Sequence, residues 1–140
     1  MEGVETKDLK IFRDERGAMV SFRADDEIFN GKFGQALVSF LYPDVIKGLH
    51  LHKSQTDFAA CIKGTALYVA VKENKNGNEI ETFIIGEDNP LLIKVSPGIW
   101  HGYKALEKEA IMMHTMDEMY DSSDTEKKDP FYFGDLWRTK

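Results

Sequence analysis

The chain is poor in cysteine. Its 140 residues contain one, Cys61, which excludes an internal disulfide framework and any multi-cysteine zinc or iron–sulfur site. It is also short of positive charge: 18 Lys and Arg stand against 24 Asp and Glu, a formal charge of −6. That balance argues against non-specific binding to nucleic acid or to a membrane surface. A phosphate-bearing small ligand would need a local cluster of Lys and Arg. No apolar run approaches the roughly 20 residues of a membrane span. No basic-then-apolar segment opens the chain, so the expected location is the cytoplasm. Repeats and low-complexity tracts are absent. Histidine is scarce too, with four residues, His50, His52, His101 and His114, and their placement carries most of the functional argument.

What is present is ordinary for a soluble globular domain: 42% hydrophobic and 30% charged residues, enough chain for one domain over 1–140 with its own core. The patterning is short and β-like. Ala18 to Phe22, Gln35 to Leu41, Phe58 to Ile62, Ala66 to Val71, Ile80 to Ile85 and Leu91 to Val95 are apolar or alternating runs of strand length. Gly and Pro punctuate them, and Asn76-Gly77 reads as a hairpin tip. Residues 109–116 suit helix or strand by propensity, and the preceding run of strands decides for strand. The polar stretch 117–129 reads as a surface loop. Pro130 to Trp137 forms a short aromatic tail expected to pack onto the body or onto a second subunit. Many short strands with little helix predict an all-β sandwich or barrel.

His50 and His52 stand at i and i+2, which on a strand places both rings on one face. Asp57 follows five residues after His52, Gly64 closes that stretch, and Pro97-Gly98-Ile99-Trp100-His101 sets a third histidine just after a tight turn. Three imidazoles and a carboxylate of this kind can converge inside a β-barrel.

These segments resemble the two motifs of the cupins, small jelly-roll-like β-barrels: Gly48-Leu49-His50-Leu51-His52 with Asp57 and Gly64, then Pro97-Gly98-Ile99-Trp100-His101. Within that superfamily the chain is similar to the dTDP-4-dehydrorhamnose 3,5-epimerases over nearly its whole length. Asp14-Glu15-Arg16-Gly17 resembles the opening turn of that family and Gln35 its glutamine. Lys47-Gly48-Leu49-His50 resembles Arg-Gly-Leu-His, and Pro97 to Tyr103 resembles Pro-x-Gly-x-x-His-Gly-Phe. Tyr120 and Asp129-Pro130 resemble the C-terminal tyrosine and Asp-Pro.

The resemblance implies an isomerase that acts on a nucleotide-linked 4-keto-6-deoxyhexose, without cofactor, in deoxysugar, O-antigen or lipopolysaccharide biosynthesis. The C4 ketone acidifies the hydrogens on C3 and C5. A base removes one, an enolate forms, and a proton returns to the opposite face. On this reading His50 is the base and Asp129 orients and charges it. His114 stands where the family has its acidic tyrosine, so it is either the proton donor or a core residue among Met112, Met113 and Met116. Arg16, Arg23, Gln35, Lys47, His52, Lys53, His101 and Tyr120 are the expected substrate-binding residues. Tyr103, Phe131 and Trp137 could line the pocket or pack. A homodimer is implied. Asp57 occupies the position of the family lysine, Leu37 that of an asparagine, and Lys47 that of an arginine.

Three other readings stay open. His50-Leu51-His52-Lys53 and Pro97-Gly98-Ile99-Trp100 also resemble sugar-nucleotide 3,4-ketoisomerases. His50, His52, Asp57 and His101 occupy the four ligand positions of metal-binding cupins, which would suit a divalent transition metal. A nucleotide-sugar-binding cupin without catalysis is the third.

Overall fold

The structure, a computed structural model, describes residues 1–139. Among these, the strands are β1 (Val4–Asp8), β2 (Ile11–Asp14), β3 (Gly17–Val20), β4 (Gln35–Leu41), β5 (Ile46–His52), β6 (Asp57–Lys63), β7 (Thr65–Lys72), β8 (Glu79–Gly86), β9 (Leu91–Val95), β10 (Trp100–Ala105), β11 (Ala110–Met116) and β12 (Thr125–Lys127). One sheet runs β1-β9-β6-β11-β4, the other β12-β5-β10-β7-β8, and β2-β3 forms a separate hairpin. Every pairing is antiparallel. This is the expected all-β, jelly-roll-like cupin architecture.

Alternation along β7 shows how the sequence builds the layers. Ala66, Tyr68 and Ala70 point between the sheets and meet Leu41, Ala59, Ile93 and Met112 of the facing sheet. Leu67, Val69 and Val71 point the other way, onto Leu49, Trp100 and Trp137. A strand buried on both faces reads as a continuous apolar run, and Ala66 to Val71 is one.

The second face of β7 needs a cover, and the aromatic tail supplies it. Trp137 is buried there, and its Nε1 donates to the Pro130 carbonyl at 2.8 Å. Lys128 fastens the start of the tail, with its ammonium 3.7 Å from the Tyr132 ring centroid and 3.1 Å from Glu73 Oε1. The tail therefore folds onto its own body, one of its two expected destinations.

The stretch 117–129 departs from the surface-loop expectation. It carries a 3-10 turn at Ser122–Asp124 and then β12, which pairs with β5 from His52 to His50. Its acidic residues hold backbone amides: Asp124 accepts from Ser54 and Gln55, and Asp117 from Thr56. A strand recruited by carboxylate–amide bonds and edge pairing carries no apolar alternation, so hydrophobic patterning does not reveal it.

Close approach of β5 and β10 sets up the functional region. A Cβ on Gly102 would lie 2.7 Å from the Lys47 carbonyl oxygen and 2.9 Å from Gly48 Cα. Two facing glycines let these strands meet and place His101 opposite His50, just before an irregularity in the register.

Candidate active site

A cavity of about 180 Å³ opens between the sheets and is lined by His50, His52, Asp57, His101, Tyr103 and His114, with Tyr120, Thr125 and Lys127 at its mouth side. The four histidines thus share one pocket. A larger hollow of about 550 Å³ lies under the β2-β3 hairpin, lined by residues such as Ile11, Val20, Phe33 and Met113, and contains none of them. Chemistry rather than volume singles out the smaller cavity.

At its floor, Asp57 Oδ2 lies 3.0 Å from Nε2 of both His52 and His101. Gln55 Nε2 donates to the other carboxylate oxygen. Burial would push the Asp57 carboxyl up, but the hydrogen bonds to His101 and His52 hold it well below the usual carboxylate range. The outer ring nitrogens are also engaged: His101 Nδ1 is 3.0 Å from the Ile99 carbonyl oxygen, and His52 Nδ1 is 3.0 Å from Thr125 Oγ1. His52, Asp57 and His101 are all buried, with their ligating atoms within 4.8 Å of one another. His50 lies outside this cluster, so the structure assembles three of the four expected metal positions.

His50 comes from the same strand as His52 and is half-buried. Burial first, then the neighbouring His101, His52 and Lys127, lower its pKa to about 4. The ring is therefore neutral at pH 7, with a lone pair available to accept a proton. Its expected partner is not beside it. Asp129 is exposed, and its carboxylate accepts the Phe131 amide at 2.8 Å as a turn cap. Among the described residues no hydrogen bond or ion pair joins Asp129 to His50.

His114 enters from β11, in the opposite sheet to His50. Its ring lies 4.9 Å from that of Tyr103. Burial lowers its pKa to about 4, and its Nε2 has no hydrogen-bond partner. A buried ring nitrogen left without a protein partner in a pocket wall is free to bond a ligand or a water. Tyr103 is pushed up by burial and so keeps its proton.

The other expected binding residues divide. Tyr120 lines the pocket, and Gln35 acts through it by accepting the Tyr120 amide at 2.9 Å. Lys47 does not line the cavity; its ammonium donates to Ser39 Oγ at 2.7 Å. Lys53 is exposed on the loop after β5. Arg16 and Arg23 are exposed and paired with Asp14 and Asp25, two residues away in each case. Neither reaches the pocket within this chain. Gln55, Thr125 and Lys127 are lining residues that the sequence reading missed. Lys127 carried one available signal, because its register with His50 follows once β12 is recognised.

The chain has relatives among known proteins. Over 109 residues, 76% of the chain and 72% of the relative, it is 38% identical to the spore coat polysaccharide biosynthesis protein SpsL of Bacillus subtilis. It is 30% identical over 131 residues, 89% of the chain and 84% of the relative, to a probable low-salt glycan biosynthesis epimerase, Agl13, of Haloferax volcanii. In fold it resembles a dTDP sugar isomerase from Desulfovibrio desulfuricans with a TM-score of 0.85 at 22% identity, covering 91% of this chain and 85% of that one. Residues 1–129 match the family described as dTDP-4-dehydrorhamnose 3,5-epimerase. The chain belongs to that family of sugar-nucleotide epimerases.

Proposed function

We propose that the enzyme inverts a carbon beside the C4 ketone of a nucleotide-linked 4-keto-6-deoxyhexose, at C3, C5 or both, in the biosynthesis of a deoxysugar for a surface polysaccharide or glycan. The observation that carries this reading is the pair of neutral imidazoles, His50 and His114, entering one pocket from opposite sheets. Epimerisation through an enolate needs a proton acceptor on one face of the sugar and a donor on the other. His50 has its lone pair free and takes the proton. The enolate's negative charge raises the proton affinity of the groups around it, so His114 takes a proton from solvent on its uncommitted ring nitrogen and passes it to the opposite face of the same carbon. His114 returns to the neutral ring, while His50 releases the proton it took to solvent. The oxidation state of the sugar does not change, so the chemistry calls for no redox cofactor.

A cavity of about 180 Å³ is smaller than the several hundred Å³ that usually enclose a whole ligand. It takes the sugar ring, and the nucleotide lies outside it. Lys127, which stands across the ladder from His50 and lines the pocket, suits the diphosphate. A homodimer fits the same chain. Strand β4 ends its sheet with an unpaired edge and exposes Val38, Phe40 and Tyr42 on or beside it, and light scattering at micromolar concentration tests it. No helix is long and apolar enough to cross a membrane. A soluble nucleotide-sugar substrate supports a cytoplasmic location.

The test is proton NMR in deuterated water with TDP-, CDP- and GDP-linked 4-keto-6-deoxyhexoses. Deuterium at C3 or C5 with inversion is expected. Movement of the ketone from C4 to C3 would mean ketoisomerisation instead, and no exchange with any substrate would overturn the proposal.

A further inference from the structure

Removing a proton beside the C4 ketone moves negative charge onto its oxygen, and that oxygen needs a hydrogen-bond donor of its own. The cavity has few to spare. His50 and His114 are taken up with the proton on carbon. His52 and His101 have both ring nitrogens engaged, and Gln55 Nε2 is bonded to Asp57. Lys127 suits the diphosphate, and Tyr120 is exposed at the mouth. Among the described residues that line the cavity, the buried donor left over is the Tyr103 hydroxyl. Its ring packs against Tyr68, nearly parallel with centroids 6.2 Å apart, and against His114 at 4.9 Å.

A cation stands behind that hydroxyl. Lys47 is the ladder partner of Tyr103 across β5-β10, and its half-buried ammonium donates to Ser39 Oγ at 2.7 Å. An ammonium only donates, so Ser39 accepts here and its own hydrogen must go elsewhere. Among the described residues, the other side-chain polar atom that buried Ser39 meets is the Tyr103 oxygen, 3.5 Å away. Two hydroxyls can bond in either sense. With Lys47 in place, the sense that satisfies both runs from Lys47 through Ser39 to Tyr103, and it turns the phenol hydrogen toward the cavity.

On the epimerase reading, we propose that Tyr103 is a further catalytic residue whose hydroxyl donates to the C4 oxygen of the enolate, with Ser39 and Lys47 as positioning residues that aim and polarise it. No proton changes hands in this contact. Burial pushes the Tyr103 phenol up, so it keeps its hydrogen and shares it with the oxygen. As charge builds on that oxygen, each donor in the series strengthens the next, and the long contact with Ser39 tightens. The chain of donors also offsets Asp57, whose carboxylate on the cavity floor would oppose an enolate. The Pro-x-Gly-x-x-His-Gly-Phe motif has phenylalanine where this chain has Tyr103, so the hydroxyl adds a group that the motif lacks.

The test follows solvent deuterium exchange across substrate concentrations, with circular dichroism and urea midpoints as controls of folding. Tyr103→Phe keeps the ring and loses the hydroxyl. Its kcat should fall about 10²- to 10³-fold, with KM changed by less than about threefold, because the contact is made with the enolate and not with the ketone. Ser39→Ala and Lys47→Met should each lower kcat about 3- to 10-fold. Lys47→Arg keeps a charged donor and should recover most of that loss. In a Tyr103→Phe background, Lys47→Met should cost nothing more, since its effect passes through the hydroxyl. A packing role for Lys47 would instead cost the same in both backgrounds, and that result would overturn the relay. A folded Tyr103→Phe variant with the kcat of the parent would overturn the inference and leave the epimerase reading standing. If Tyr103→Phe does not fold, Ser39→Ala decides, and an unchanged kcat there would overturn the inference. No exchange by the parent on any substrate would overturn the epimerase reading itself, and the role of Tyr103 with it.

Discussion

His50 lies directly across the β5-β10 ladder from His101, with their ring centroids 6.1 Å apart. The pairing depends on Gly48 and Gly102, whose backbones approach more closely than any Cβ allows. Gly102→Ala would drive a methyl against the Lys47 carbonyl oxygen, and neither backbone can yield without moving a histidine. Overpacking of this kind costs about 1–3 kcal/mol. The expected result is a lower urea midpoint and weaker exchange activity together. A fully stable and fully active variant would show that the strands tolerate a wider spacing.

The depressed pKa of His50 sets the acid limb of the pH–rate profile. The base works when neutral and is lost as it takes a proton. Its pKa is lowered from 6.5 to about 4. kcat/KM, which reports the free enzyme, should therefore stay level from neutrality down to about pH 5 and fall through about pH 4. His50→Ala should reduce solvent deuterium incorporation by about 10²- to 10⁴-fold. An acid limb centred near 6.5 would mean that the base is solvated in the working enzyme.

Asp129 offers a sharper contrast. Its carboxylate caps the turn that follows it, and asparagine caps as well as aspartate. Asp129→Asn should leave both stability and exchange nearly unchanged, within about threefold on this reading of the cap. A loss of orders of magnitude would show that the carboxylate turns to His50 when substrate binds, as the family resemblance implies.

The legible parts of the sequence were those in which one residue determines its own environment. Strands such as Ala66 to Val71 announce themselves because apolar residues must be buried, and His50, His52, Asp57 and His101 because strand periodicity and a turn converge them. What stayed hidden depends on partners distant in the chain. Thr125 reaches His52 across 73 residues, and Asp124 caps amides about 70 residues away. Lys47 stands in its motif where a binding cation is expected, yet its side chain turns to Ser39. Arg16 and Arg23 looked like phosphate ligands, but each has an aspartate two residues away that takes up its guanidinium. Charge in a sequence does not say which neighbour will claim it.

His114 is where stability and catalysis can be separated. Its pKa is lowered from 6.5 to about 4 by burial. Between those values the unfolded chain binds a proton that the folded chain excludes. Stability from this group is thus fully present above about pH 6.5 and is lost as pH falls toward 4, by about 3 kcal/mol in order of magnitude. In the His114→Phe variant that part of the acid sensitivity disappears, so the fall in urea midpoint between pH 6.5 and 4 should be shallower than in the parent. The same variant loses the uncommitted ring nitrogen, and inversion should drop by at least about 10²-fold. Exchange at one face, through His50, should survive better than inversion. Unchanged inversion in a variant with the shallower pH dependence would make His114 a packing residue and require another donor in the pocket, for which Tyr103, protonated and 4.9 Å away ring to ring, stands next.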